Sequence, residues 1–152
     1  MRWIGLPDSQ APEAAKRLLA TVPEWFGLPE ANADYIEAAR TKETWTVRDD
    51  AGTVIGLTLV DRHFLHVAEL HLMVVDRGHH GRGVGTAMVE AVEMDARERG
   101  VRLLQVKTLG ASHPDVGYAR TRHFYERTGF LPLEETDLWG KDSPCLFMVK
   151  QL

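Results

Sequence analysis

Cysteine is nearly absent from this chain, because Cys145 is the single one among 152 residues. One cysteine excludes an internal disulfide framework. Long apolar runs are missing too: no stretch approaches the roughly 18 to 20 apolar residues that cross a bilayer, and the opening segment MRWIGLPDSQ lacks the apolar core of a secretion signal. Positive charge is not in excess, since the net charge is −4. These absences favour a cytoplasmic protein with no membrane and no nucleic-acid partner.

The remaining composition is that of an ordinary globular protein. Hydrophobic residues make up 44% of the chain and charged residues 26%, which is close to the average for such proteins. The length suits one domain and allows a substantial core. We therefore expect a single domain over residues 1–152.

Hydrophobic periodicity and turn residues predict an alternation of helices and strands. Helices are expected at 10–21, 30–40, 85–99 and 118–128. Strands are expected at 45–48, 54–61, 69–75, 103–108, 130–134 and 145–150, with a short first strand at 2–6 as an option. The strand at 69–75 is largely apolar, which is typical of a central strand. The order predicts a mixed α/β arrangement of one sheet and its covering helices.

A glycine-rich turn, VVDRGHHGRGVGTA at 74–87, joins this central strand to the longest predicted helix. Gly81, Gly83 and Gly85 allow backbone N–H groups to turn inward without a Cβ in the way. The helix adds its unpaired N–H groups and the positive end of its dipole. Such a turn is suited to binding phosphates.

Two nucleotide-binding motifs do not fit this turn. A dinucleotide-binding fold requires G-x-G-x-x-G with an acidic residue about 20 positions further on. Here the third glycine comes too early, and the next strand, LLQVKTLG, ends without an acidic residue. A P-loop requires a lysine directly after its last glycine, and none follows Gly85.

The turn resembles the acyl-CoA loop of the GCN5-related N-acetyltransferase (GNAT) family, whose pattern is [RQ]-x-x-G-x-[GA]. The segment H-G-R-G-V-G places His80, Arg82, Gly83 and Gly85 on that pattern, with His80 where the family usually has Arg or Gln. A second segment, HFYERTGF at 123–130, is similar to the family's F-Y-x-x-x-G-F. The longer stretch TLGASHPDVGYARTRHFYERTGF also resembles a bacterial subgroup of the family.

The resemblance implies a fold and a cosubstrate. The fold would be α/β (α+β): a mixed, mostly antiparallel sheet of six or seven strands, splayed at its centre and flanked by about four helices. Acetyl-CoA would be the cosubstrate, with its pyrophosphate on backbone N–H groups of residues 81–86 and its pantetheine along the edge of the 69–75 strand. The implied cofactor-binding residues are Met73, Val74, Val75, His80, Gly81, Arg82, Gly83, Val84, Gly85 and Thr86.

The resemblance also implies two catalytic residues. Tyr125 matches the tyrosine that protonates the departing thiolate, although a tyrosine there could simply pack under the sheet. Glu69 lies at the offset of a glutamate that acts as general base in some members, often through water, and could equally be an exposed carboxylate at a strand end. His71 shares a strand face with Glu69, and His113 is a third candidate base.

The sequence leaves the roles of several further side chains open. His79 and His80 adjoin the predicted phosphates, which would favour their protonated forms. One of Arg120, Arg122 and Arg127 could reach a phosphate, or all could be solvated. A metal site is not expected, since H63-x-x-H66 with His71 fits no common zinc spacing. Cys145 is expected to be a small buried hydrophobe.

The function that fits these residues is acetyl transfer from acetyl-CoA to a primary amine of a small molecule or a peptide, by direct attack in a ternary complex. Two alternatives remain open: a non-catalytic acyl-CoA binding or sensing module, and an interaction protein in which the glycine turn is only a tight connection. An exposed edge strand at 145–150 could support a homodimer, by analogy of fold.

Overall fold

A computed structural model describes residues 2–152, which form one seven-stranded sheet flanked by four α-helices. The strands are β1 (Gly5–Asp8), β2 (Glu43–Arg48), β3 (Val54–Phe64), β4 (Val67–Val75), β5 (Leu103–Leu109), β6 (Leu131–Thr136) and β7 (Cys145–Gln151). The helices are α1 (Pro12–Ala20), α2 (Pro29–Ala38), α3 (Val84–Glu98) and α4 (Val116–Arg127), with a short 3-10 turn at Arg77–His79. Across the sheet the strands follow the order β1-β2-β3-β4-β5-β7-β6.

The centre of the sheet is splayed, as the resemblance implied. Every strand pair is antiparallel except β4–β5, which is parallel. The β4–β5 pairing covers only Val67–Leu70 against Leu103–Val106, although β4 continues to Val75 and β5 to Leu109. Beyond Leu70 the facing edges of two central strands are therefore unpaired with each other.

A β-bulge in β4 lies at the point where this separation begins. In the β3–β4 ladder Leu59 pairs with Leu72 but Val60 pairs with Leu70, so His71 is an extra residue. A bulge bends its strand, and one extra residue exchanges the two faces beyond it. Accordingly, Leu70 packs in the cluster with α3 and α4, whereas Leu72 packs in the cluster with α1 and α2.

Both faces of the sheet are covered by helices with apolar sides. Leu18 and Leu19 of α1 are buried against Leu57, Leu59 and other residues of β3 and β4. On the opposite face, α3 buries a stripe at helical spacing consisting of Val84, Met88, Val89, Val92, Glu93 and Ala96. The site therefore lies between two packed layers that fix the positions of β4 and β5.

The predicted elements are present, with two corrections. The first strand is Gly5–Asp8 rather than 2–6. The strand at 145–150 is not an exposed edge, because β7 pairs with β5 on one side and with β6 on the other. β6 returns outside β7 and forms the edge of the sheet. Cys145 is buried, as expected. Among residues 2–152 there is no helix with the length and apolar character that crossing a membrane requires.

Candidate active site

A cleft of about 720 Å³ opens where β4 and β5 separate. Its wall is formed by β4, β5, the glycine turn, the start of α3, one side of α4, the segment between α1 and α2 with part of α2, and the loop between β6 and β7. Nine of the ten predicted cofactor-binding residues line it: Met73, Val74, Val75, His80, Gly81, Gly83, Val84, Gly85 and Thr86. Tyr125 and His71 line it too, whereas Arg82, Glu69 and His113 do not.

The unpaired edge of β4 directs main-chain groups into the cleft. The N–H of Asp76 donates to the carbonyl of Ile55 on β3, and Leu72 accepts a hydrogen bond from Thr58 Oγ1 on the same side. Because successive backbone groups point to opposite edges of a strand, those of Met73 and Val75 point away from β3. An extended ligand with amide groups could pair with the N–H and carbonyl of Met73 and the N–H of Val75 as another strand would.

The glycine turn leaves the N-terminus of α3 open. Gly81 and Gly83 have positive φ angles of 72° and 87°, which only glycine adopts without strain. Gly83 is the N-cap residue of α3, and no side chain within residues 2–152 caps this helix start. The first N–H groups of the helix are therefore available to an anion, supported by the helix dipole.

Side chains around the turn hold its shape. Asp76 accepts hydrogen bonds from the N–H of Gly78 at 3.1 Å and from Nδ1 of His79 at 2.9 Å. His80 Nε2 donates to the carbonyl of Val75 at 2.9 Å, which ties the turn to the edge of β4. Trp3 Nε1 donates to the carbonyl of Arg82 at 2.9 Å.

The arginines that line the cleft belong to α4 and not to the glycine turn. The guanidinium of Arg82 lies over the Trp3 ring, 5.9 Å from its centre, outside the cleft. Arg120 and Arg127 of α4 line the cleft instead. Arg122 donates to the carbonyl of Leu109 and is held by that contact.

Tyr125 lies at the inner end of the cleft. Its side chain is 7% exposed, and its ring packs edge-on against Phe124 and Phe130, each with 5.5 Å between ring centres. Burial, followed by the nearby Tyr35 and Tyr118, raises the pKa of the Tyr125 phenol well above its usual value. Tyr125 therefore carries its proton at neutral pH and can donate it.

Glu69 lies next to the cleft but beneath its surface. Its side chain is 2% exposed, and one carboxylate oxygen, Oε1, has three polar neighbours. His63 Nε2 is 2.6 Å away, Gln105 Nε2 is 3.1 Å away and Lys107 Nζ is 3.3 Å away. Oε1 is thus bound by the protein, and one of its partners, Lys107, lines the cleft.

His71, the bulge residue, is the candidate base on the surface of the cleft. Its Nδ1 is 3.3 Å from Oδ2 of Asp61, and the other oxygen of Asp61 contacts Lys42 Nζ. The Tyr35 ring packs edge-on against the imidazole. Burial lowers the pKa of His71 below its ordinary value of 6.5, although Asp61 opposes the shift. The imidazole is therefore neutral at pH 7 and can accept a proton.

Two other features of this region do not form part of the cleft. His113 lies in the loop after β5, away from the cleft lining, with a buried Nδ1 that has no hydrogen-bond partner within residues 2–152. Ligand atoms of Asp61, His63 and Glu69 lie within 4.8 Å of one another. The ammonium group of Lys42 already pairs with the Asp61 carboxylate, and that of Lys107 pairs with the Glu69 carboxylate.

The sequence analysis did not single out Lys107, Asp61 or Trp139. The alternation of β5 gives a signal for Lys107, because Leu104 and Val106 are buried under α3 and α4, and Gln105 and Lys107 alternate with them and so face the other side. Asp61 can be recognised as a neighbour of the site only once the register of β3 with β4 is known, because in that register it pairs with Glu69. Trp139 comes from the loop between β6 and β7, for which sequence periodicity gives no signal.

The comparison with protein families gives one match. The sequence model described as the Acetyltransferase (GNAT) family matches residues 13–130. Among curated proteins, a mycothiol acetyltransferase from Propionibacterium freudenreichii is 32% identical over 114 residues, which are 67% of this chain and 35% of that protein. The chain spans about a third of the length of the curated relatives it matches.

Solved structures share the whole fold. A GNAT-family protein from Desulfovibrio desulfuricans superposes with a TM-score of 0.84 at 19% identity, over 99% of both chains. A GNAT acetyltransferase from Elizabethkingia anophelis with acetyl-CoA bound has a TM-score of 0.72 at 13% identity, over 99% of this chain and 98% of that one. At sequence identities of 19% and 13%, these similarities establish the fold alone.

The first prediction concerns Gly83. An alanine at a left-handed φ costs roughly 1 kcal/mol of stability, so Gly83→Ala and Gly52→Ala should destabilise the protein equally. Gly52 has a φ of 84° in the β2–β3 turn, and a Cβ at either position meets nothing within 4 Å. Thermal unfolding with and without CoA, and calorimetry with CoA, compare the two variants. Only Gly83→Ala should lose CoA affinity; equal affinities would contradict the phosphate site.

A second prediction concerns pH. His79 and His80 line the cleft beside the glycine turn, where positive charge would attract a diphosphate, so acetyl-CoA affinity should weaken as the pH rises from roughly 5.5 to 8. The 3′-phosphate of CoA titrates in the same range, so His80→Gln, which retains a donor for the Val75 carbonyl, is the control. Calorimetry across this range should show a smaller pH dependence for the variant. Identical curves for variant and wild type would exclude His80.

Proposed function

Because the chain belongs to the Acetyltransferase (GNAT) family, we propose that it transfers an acetyl group from acetyl-CoA to a primary amine of a small molecule or a peptide. The amine attacks the thioester directly while both substrates are bound. One observation carries this proposal: the open edge of β4, the uncapped glycine turn and Tyr125 line a single cleft. A relative of the same fold has acetyl-CoA bound, which supports acetyl-CoA as the cosubstrate.

The cosubstrate would follow the cleft from the glycine turn to Tyr125. Its diphosphate binds the N–H groups of residues 81–86, and its pantetheine amides pair with Met73 and Val75 on the open edge of β4. Arg120 and Arg127 are the arginines available to the phosphates. The thioester then lies in the gap between β4 and β5, because a ligand paired along β4 from the turn ends there.

The chemistry needs one base and one acid. The amine loses a proton to Nε2 of His71, since Nδ1 faces Asp61, and its nitrogen bonds to the thioester carbonyl carbon. Main-chain N–H groups on the open edge of β4 are the available donors for the negative oxygen that forms. The C–S bond then breaks, and the thiolate of CoA takes the proton of the Tyr125 hydroxyl. His71 then releases its proton to solvent, and Tyr125 takes up a proton from solvent.

Glu69 is a second group that could accept the proton of the amine. It is fully buried and bound by His63, Gln105 and Lys107, so it would act only through a water or through Lys107. His71 reaches the cleft directly and is neutral at pH 7. We therefore assign the direct role to His71, with Asp61 as a positioning residue that orients the ring and stabilises its protonated form.

Tyr125→Phe tests the acid and separates an enzyme from a non-catalytic acyl-CoA module. Loss of a general acid typically lowers the rate by a factor of roughly 10² to 10⁴, while the ring contacts with Phe124 and Phe130 are retained. Release of free thiol measures kcat, and calorimetry measures the Kd of CoA. We expect kcat to fall and Kd to stay unchanged.

Tyr118→Phe is the matched control for Tyr125→Phe. The Tyr118 hydroxyl donates to the carbonyl of Trp25, and burial raises the pKa of this phenol to about 12, but the residue has no assigned proton transfer. Its variant should keep most of the wild-type kcat. A Tyr125→Phe variant as active as wild type would remove Tyr125 from the mechanism.

The base is tested by the pH profile of kcat/KM. His71 accepts a proton only when neutral, so kcat/KM should fall as the pH drops through its pKa, which lies below 6.5. His71→Gln should lower kcat/KM by roughly 10² to 10⁴ and remove this acidic limb. Glu69→Gln should retain the limb. The opposite assignment, with the limb lost only in Glu69→Gln, would make Glu69 the base.

A further inference from the structure

Negative charge is missing from the wall of the cleft. Within residues 2–152, no aspartate or glutamate lines it, although the chain as a whole carries a net charge of −4. The charged side chains that do line it, apart from histidines, are Arg120, Arg127 and Lys107. An acceptor with several ammonium groups would therefore meet no carboxylate on this wall.

The two arginines belong to the cosubstrate half of the cleft. Arg120 and Arg127 lie on α4 at one-turn spacings on either side of Phe124. The Phe124 ring is 3.2 Å from where a Cβ on Gly85 would be, so this side of α4 packs against the start of α3. Arg120 and Arg127 thus flank the helix start that we assign to the CoA phosphates.

Lys107 belongs to the other half. It is the first residue of β5 beyond the last pair with β4, Leu70–Val106. The neighbours Val106 and Leu104 are buried with α3 and α4, so the Lys107 side chain points to the side of α1 and α2. His71, the proposed base, lies on this same side beside Tyr35.

The ammonium group of Lys107 is held in place. Nζ lies 3.3 Å from Glu69 Oε1 and 5.5 Å from the centre of the Phe147 ring. Glu69 is itself fixed by His63 and Gln105. An ammonium group has three N–H donors, and Glu69 accounts for one, so others remain for a ligand in the cleft.

Aromatic side chains form the rest of this half. Phe26 and Tyr35 come from the segment after α1 and from α2, and both line the cleft while being only partly buried. Their rings pack edge-on against each other, and the Tyr35 ring packs against His71. This half of the cleft therefore presents apolar surface and the Lys107 ammonium group to the acceptor.

We infer that the acceptor is an amine that carries a carboxylate and an aromatic or other apolar group, as an aromatic α-amino acid does, and that Lys107 binds this carboxylate. The inference rests on the proposed acetyl transfer and names its acceptor class. A carboxylate beside Lys107 gains a charge-assisted hydrogen bond. A polycationic acceptor would lose the hydration of its extra ammonium groups without gaining partners, and an amine lacking the carboxylate would gain no such hydrogen bond from Lys107.

The experiment compares three acceptors with the whole protein and acetyl-CoA, by release of free thiol. L-Phenylalanine carries the carboxylate, L-phenylalaninamide has nearly the same shape without that charge, and spermidine is a polycation. We expect kcat/KM for phenylalanine to exceed that for the amide by roughly 10- to 100-fold, the worth of one charge-assisted hydrogen bond. Spermidine should be the poorest acceptor.

Variants of Lys107 connect the preference to this residue. Lys107→Met should remove most of the difference between phenylalanine and its amide, chiefly through KM for phenylalanine. Lys107→Arg keeps the charge and should retain the preference. The Kd of CoA, measured for each variant, shows whether the cosubstrate half is intact. A general catalytic role of Lys107 would instead lower the rates with both acceptors equally, and would overturn the inference.

The rates of the wild-type protein with the three amines test the acceptor class separately from the role of Lys107. Equal rates with phenylalanine and its amide, or a preference for spermidine, would overturn the acceptor class while leaving acetyl transfer in place. Unchanged selectivity in Lys107→Met would overturn the role of this residue. CoA binding without thiol release from any of the three amines would count against the proposed function itself, and with it the acceptor class.

Discussion

The candidate site depends on the separation of β4 from β5 beyond Leu70. Unpaired main-chain groups at the centre of a sheet are costly unless a ligand or water satisfies them. The fold tolerates the gap because α1 and α2 cover one face and α3 and α4 the other, while β4 stays paired with β3 and β5 with β7. The bulge at His71 marks the start of the gap and also exchanges the faces of β4. One local irregularity therefore exposes the binding edge of β4 and brings a histidine to the acceptor side.

Both proposed proton-transfer groups are at least partly buried, and burial shifts their pKa values in opposite directions. Burial disfavours the charged form of each, so it lowers the pKa of His71 and raises that of Tyr125. Both groups are then neutral at pH 7, the state in which histidine accepts a proton and tyrosine donates one. Positive charge is divided between the phosphate half, with Arg120 and Arg127, and the acceptor half, with Lys107. The carboxylates of Glu69 and Asp61 lie behind Lys107 and His71 rather than on the wall of the cleft.

Local sequence predicts the parts of the site that depend on local conformation. The glycines at 81, 83 and 85 predicted inward-turned backbone N–H groups and an open helix start, and the segment 123–130 pointed to Tyr125, which lines the cleft. The direction of a strand side chain is different, because it depends on register. Glu69 is buried and His71 exposed to the cleft as a result of a bulge that has no signal in the sequence. Arg82 lies outside because Trp3, far away in the chain, holds the turn. The order of β7 and β6 in the sheet is likewise set by long-range pairing, so β7 was wrongly expected at the edge.

The most direct test of the central claim is an NMR titration of the 15N-labelled protein with acetyl-CoA. If main-chain groups of the open edge and the glycine turn bind the cosubstrate, the amide signals of Met73, Val75, Gly81, Gly83 and Gly85 should shift together and gain protection from solvent exchange. Amides in β1 and β2 should stay unchanged. Saturable binding of acetyl-CoA that leaves the signals of Met73 and Val75 where they were would contradict the account.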